Sequence, residues 1–82
     1  MPSKQSVKQS EARILVYLSQ VSNGSRYAGI MSAKLNMDYG YCLSILRGMF
    51  CRKWLRKEQY TQKTYYFLTK KAPLDEAKEM LL

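Results

Sequence analysis

The chain has 82 residues, 46% of them hydrophobic and 24% charged, which suits one small globular domain rather than a disordered tail. A chain of that size buries roughly 60–65% of the surface its unfolded form exposes, leaving little room for both a core and an enclosed catalytic cleft. Fourteen Lys and Arg against six Asp and Glu give a net charge of +8, and there is no His; a Ser-His-Asp triad, a Cys-His pair and most zinc sites are excluded, and a polyanionic partner is favoured.

Residues 1–9 are polar, carry Lys4 and Lys8, and are expected to form a flexible basic arm. Ser6-Val7-Lys8-Gln9 has the Ser-x-x-Gln form of a capping box, and Ser10 is a second candidate cap. The stretch that follows puts Ile14, Leu15, Leu18 and Val21 on one helical face. Asn23-Gly24 is expected to stop that helix, with Gly24 in the left-handed conformation. Ser25 then caps a short second helix bearing Tyr27, Ile30, Met31 and Leu35. Asn36 and Met37 form a turn, and Asp38 caps a third helix running to about Lys53. From Trp54 the composition changes. Trp54–Tyr60 and Lys63–Thr69 are rich in aromatic residues and Thr and predict two strands. Thr61-Gln62 joins them without the Gly usual in a tight hairpin. Pro73 opens a last helix over residues 74–82, with Asp75 and Glu76 at its positive end.

No apolar run is long enough to cross a bilayer: the longest, Ile14 to Leu18, is five residues, against about 20 needed. The N-terminal residues lack the apolar stretch of a signal peptide, so an intracellular, cytoplasmic location is expected. The two cysteines, Cys42 and Cys51, are nine residues apart, about 180° around a helix. They cannot pair with each other or share a metal. Cys42 is expected in the core and Cys51 at the surface.

Three helices, a short turn between the second and third, and a basic hairpin directly after the third resemble the winged helix-turn-helix domains of small prokaryotic MarR- and ArsR-type repressors. The resemblance rests on Met37 and Asp38 followed by Cys42, Leu46, Met49, Trp54 and Leu55 in the register of a recognition helix. It rests also on Tyr66-Phe67-Leu68-Thr69-Lys70-Lys71, which matches the closing strand and basic pair of such wings, and on Ile14-Leu15-Val16-Tyr17-Leu18, which resembles their first helix. It covers about residues 10–71. Lys53 departs from the pattern, standing where many members have the Gly that ends the recognition helix, and Gly40 and Gly48 lie inside that helix. The resemblance implies an α+β, mostly helical fold, a double-stranded DNA partner, a homodimer and a prokaryotic or prokaryotic-virus origin, with the protein located at the nucleoid.

By angle, Cys42, Leu46 and Met49 form the core stripe of the third helix, with Ile45 at its edge. Gly40, Ser44, Arg47 and Cys51 lie opposite, flanked by Tyr41 and Leu43. In winged helices that face enters the major groove. Arg47 is suited to two hydrogen bonds with guanine, Ser44 to a base or phosphate, and Leu43 to a thymine methyl. Tyr39 and Tyr41 are candidates for phosphate contacts, and Gly40 for close backbone approach. On the wing the candidates are Arg56, Lys57, Gln59, Thr61, Gln62 and Lys63, set to follow the backbone and reach the minor groove. Tyr65, Tyr66 and Phe67 can be a base-stacking platform or wing packing, and Trp54 is expected in or near the core.

The charge supports this placement: residues 1–71 hold thirteen basic and three acidic side chains, while residues 72–82 hold one basic and three acidic. The expected function is sequence-specific binding of duplex DNA by a transcriptional repressor, with no enzymatic activity, metal, cofactor or evident small-molecule ligand. The alternative is a winged-helix protein-interaction module within a larger chromatin or transcription assembly; single-strand binding is a third class. Val7, Ile14, Tyr17, Leu74, Ala77, Met80, Leu81 and Leu82 are the expected dimer surface. An intramolecular role for the last helix is the other possibility.

Overall fold

A computed structural model describes residues 7–82. The elements are α1 (Gln9–Gln20), a 3-10 turn (Asn23–Ser25), α2 (Ala28–Lys34), α3 (Tyr39–Cys51), β1 (Leu55–Tyr60), β2 (Lys63–Leu68) and α4 (Leu74–Met80). The order is that of a winged helix-turn-helix, α+β and mostly helical. Ile14, Leu15 and Leu18 of α1, Met31 of α2, and Cys42, Leu46 and Met49 of α3 meet in one fully buried cluster. Trp54, Leu55 and Tyr66 at the base of the wing close one side of it, and Ala77 of α4 another. Each large apolar side chain buried here contributes about 1.5–3 kcal/mol.

The helix ends differ from expectation in three places. The first turn of α1 is closed at Lys8, whose backbone N–H donates to Glu11 Oε1 at 3.0 Å. Ser6 lies outside the described residues, and Ser10 is already inside the helix. Val7 is buried, so the folded unit includes residues 7–9, and the remainder of the expected arm lies outside the described residues. Gly24 does not take a left-handed conformation. The end of α1 is closed instead by Arg26, whose guanidinium donates to the carbonyls of Leu18 (2.9 Å) and Val21 (3.3 Å). Ser25 sits in the 3-10 turn and accepts a hydrogen bond from the Tyr17 hydroxyl at 2.8 Å through its carbonyl; the N-cap of α2 is Tyr27.

Both helices of the helix-turn-helix end in the same way. After α2, Asn36 has φ 55°, with Asn36 N–H on Ala33 C=O and Met37 N–H on Ser32 C=O. After α3, which stops two residues before Lys53, Lys53 has φ 70°, with Lys53 N–H on Phe50 C=O and Trp54 N–H on Met49 C=O. This pair of bonds is the Schellman arrangement, which places a left-handed residue just past the helix. Lys53 therefore occupies a position that favours Gly for a steric reason. The hairpin turn has the same character: Thr61 and Gln62 have φ 48° and 65°, both positive as a type I′ turn requires.

The strands pair antiparallel from Leu55 opposite Leu68 to Tyr60 opposite Lys63. Arg26 and Tyr27 extend the sheet along the free edge of β2, with Tyr66 N–H donating to Arg26 C=O and a bridge between Tyr27 and Tyr65. The last helix packs on α1. Ile14 and Ala77, expected at a subunit interface, are wholly buried inside this one chain, and Val7 nearly so, because α4 folds back onto α1. Met80, Leu81 and Leu82 remain exposed.

Candidate nucleic-acid interface

The third helix is set by its cap. Asp38 Oδ2 accepts from Tyr41 N–H at 3.2 Å, satisfying one of the free amides of the first turn. Gly40 is fitted to this cap, since a Cβ there would stand 3.3 Å from Asp38 Oδ2. With Cys42, Leu46 and Met49 turned inward, Gly40, Tyr41, Ser44, Arg47 and Cys51 all face solvent. Leu43 is half-buried at the border of that face, and Tyr39 and Tyr41 flank the helix start with about half their surface exposed.

A cleft of about 200 Å³ joins this helix to the wing tip. Tyr39 and Leu43 line it from α3, Gln62, Lys63, Thr64 and Tyr66 from the wing, and Tyr27, Ala28 and Gly29 from the start of α2. The Tyr66 phenol is raised by burial, with the charge of Arg47 pulling it down and Tyr39 and Cys42 adding to the rise. The Arg47 charge thus stands within electrostatic reach of the wing.

Strand register divides the wing into two faces. Lys57 and Gln59, with Thr64 and Tyr66 across from them, form one face. It is turned toward α3, where Lys57 Nζ lies 4.4 Å from the centre of the Phe50 ring. Arg56, Glu58 and Tyr60, with Phe67, Tyr65 and Lys63 across from them, form the other. Arg56 is ion-paired with Glu58 and lies 4.4 Å from the centre of the Phe67 ring, apart from Lys57 and Gln59. At the tip, Thr61 and Gln62 are exposed, and Lys63 Nζ lies 4.2 Å from the Tyr27 ring centre. These cation–π contacts hold the wing against α2 and α3.

Several cations serve the fold, a role the sequence did not disclose. Besides closing α1, Arg26 stacks on Phe67 at 4.9 Å, and Arg13 donates to the Leu35 carbonyl at the end of α2. The contacts of Arg26 with Leu18 and Val21 follow no helical period, so pattern alone could not find them. Among the described residues, no three metal-ligating side chains are gathered together, and no helix is long and apolar enough to cross a membrane.

The arrangement defines a winged helix-turn-helix, with an exposed third helix and a basic hairpin beside it. No family model and no curated protein sequence matches the chain. Among solved structures it resembles MepR, a transcription regulator of the Staphylococcus aureus multidrug efflux pump MepA, with a TM-score of 0.79 at 13% identity. That likeness covers 90% of this chain and 57% of MepR. Two single-site variants of ZitR from Lactococcus lactis superpose with TM-scores of 0.77 and 0.75 at 21% and 20% identity, each over 99% of this chain and 55% of the other. At these identities the likeness is one of fold. The chain spans a little over half the length of these structures.

Proposed function

We propose that the protein is a sequence-specific double-stranded DNA-binding regulator of transcription, acting as a repressor in the cytoplasm and without catalytic activity. The exposed α3 face of Gly40, Ser44 and Arg47, flanked by Tyr39 and Leu43, which share one cleft with the wing tip, carries this reading. In it, α3 enters the major groove, Arg47 reads guanine, and Ser44 and Leu43 contact neighbouring bases. Tyr39 and Tyr41 bond phosphates at the helix start. Thr61, Gln62 and Lys63 lie on the backbone or in the minor groove, with Lys57 and Gln59 behind them. The net charge of +8 supports a polyanionic partner, as does the fold likeness to MepR, described as a transcription regulator.

Mobility shifts with random and selected duplexes at several salt concentrations test this. If about 4–6 phosphates are neutralised per subunit, log affinity falls against log salt with a slope of about −4 to −5. A slope near zero, or no duplex binding at low salt, overturns the reading in favour of a protein-interaction module.

The proposal includes a homodimer, because two-fold DNA sites favour two-fold proteins. Its apolar contact is Met80, Leu81 and Leu82, the part of the expected surface still exposed. Sedimentation of the chain at micromolar concentration is expected to give a dimer, and a monomer there removes this element.

A further inference from the structure

The wing face turned away from α3 has a built character of its own. Together with the 3-10 turn it encloses a recess of about 280 Å³, lined by Asn23, Gly24, Glu58, Tyr60, Tyr65 and Phe67. This lies close to the lower end of the volumes that small ligands occupy. The floor is aromatic and ordered. Tyr65 meets Tyr60 edge to face at 6.4 Å and Tyr27 at 5.8 Å, and Phe67 is held by Arg26 and Arg56. Tyr60 is the exception: 70% of its surface is exposed, an unusual state for an aromatic residue in a strand. Among the described residues, Glu58 is the one charged residue of the lining, and two cations adjoin it in the strand register, Arg56 across from Phe67 and Lys63 across from Tyr60.

We propose that this recess binds an unpaired nucleobase and its phosphate, as a single strand or a free nucleotide. The inference goes beyond the duplex reading and, Lys63 apart, uses different residues. An exposed ring beside cations is the composition of single-strand stacking platforms, where every base offers a π-face and the cations follow the phosphates. Tyr60 is the stacking ring, and Tyr65 and Phe67 form the floor beneath it. Glu58, across from Tyr65, has one carboxylate oxygen engaged by Arg56, and its second oxygen accepts from a base N–H. A carboxylate at that place favours bases with an exocyclic amine, which adenine, cytosine and guanine carry, over thymine, whose one base donor is its ring N3–H. The recess spans the wing and the α1–α2 connection, so an occupant braces the wing from the side opposite α3.

Fluorescence anisotropy with labelled single-stranded dC, dA and dT decamers at low salt tests this on the intact chain, with AMP and dCMP as competitors. Binding is expected with dC and dA tighter than dT. Tyr60→Ala is expected to weaken it about 5- to 100-fold, and Tyr60→Phe to retain it. Glu58→Gln is expected to narrow the preference over dT. Duplex affinity of Tyr60→Ala and single-strand affinity of Arg47→Ala are expected to match the parent. In the unaltered protein, amide shifts on adding dC are expected at Asn23, Gly24, Glu58 and Tyr65, which keeps the test independent of any variant's folding. Competition by AMP or dCMP assigns the site to free nucleotides, and its absence to strands. Unchanged single-strand binding by Tyr60→Ala, or shifts confined to α3, overturns the proposal. Loss of duplex binding alone, with these results intact, overturns only the duplex reading.

Discussion

Arg52, at the C-terminal end of α3, is ion-paired with Glu11 in the first turn of α1, 41 residues away in the chain. Glu11 is 5% exposed, and its other oxygen accepts the Lys8 backbone N–H. Arg52 also covers the Trp54 ring at 4.1 Å, so one guanidinium links α1, α3 and the base of the wing. The interaction fixes the end of α3 against the body that carries it.

This pair makes stability depend on pH. Burial pushes the Glu11 carboxyl up, but the hydrogen bonds from Arg52 and the Lys8 amide, with the charges of both residues, outweigh it and hold the group below its ordinary value. A depressed folded value means that the stabilisation is full above the unfolded carboxyl pKa of about 4.3 and is lost as pH falls through the folded one. Glu11→Gln is expected to lower stability at neutral pH by about 1–3 kcal/mol and to flatten the acid limb of the profile. Arg52→Ala is expected to cost more than Glu11→Gln, because it leaves a buried carboxylate without its partner. Urea unfolding between pH 3 and 7 measures both.

The left-handed residues predict stabilising changes. A non-Gly residue in that region costs roughly 1–2 kcal/mol. Lys53→Gly is expected to raise stability by about 0.5–1 kcal/mol, the gain reduced by the greater freedom of Gly in the unfolded chain. The pair Thr61→Asn with Gln62→Gly is expected to stabilise the hairpin similarly, since Asn-Gly suits a type I′ turn. Thermal denaturation gives the sign. A fall in melting temperature for Lys53→Gly would mean that the lysine side chain contributes more than the backbone strain it carries.

The cysteines separate core from groove face. Cys42 is wholly buried, and burial pushes its thiol up, whereas Cys51 is exposed beside Arg47 and Ser44 on α3. A maleimide is expected to modify Cys51 at once and Cys42 only on unfolding. A bulky adduct at Cys51 is expected to abolish duplex binding by blocking entry of α3, while leaving melting temperature unchanged. Full duplex affinity of the labelled protein would place DNA elsewhere.

Arg47 and Lys63 separate reading from positioning. Loss of a bidentate arginine–guanine contact costs about 1–3 kcal/mol and relaxes preference at one base pair. Loss of a phosphate contact weakens all duplexes alike and makes the salt slope shallower by about 1. Arg47→Ala is therefore expected to change the sequence recovered by binding-site selection, and Lys63→Ala only the affinity. An Arg47→Ala protein with the parent's preference and affinity would transfer the reading role to the wing.

What was legible in the sequence is what local chemistry writes there. The spacing of Ile14, Leu15 and Leu18, the Asp38 cap, the stripe of Cys42, Leu46 and Met49, and the change to aromatic strands at Trp54 each act within a few residues. Their order was enough for the helix-turn-helix, the wing and the outward face of α3. Lys53 stood out only through the family resemblance, in which Gly holds that position, and its left-handed backbone gives the steric reason. The boundaries of α1 and α2 were less legible, since weak caps compete there: Glu11, not Ser10, closes the start of α1, and Arg26 closes its end where Gly24 was expected to. Only tertiary structure decided which cations are spent on the fold. Arg26, Arg52, Arg56 and Lys57 look alike in a charge count, yet each is engaged by a partner that chain folding alone brings near. The same is true of Ile14 and Ala77, apolar residues whose pattern fits an interface between subunits as well as one between helices. The geometry of α4 against α1 chose the second, because covering them within one chain requires no second molecule to be ordered.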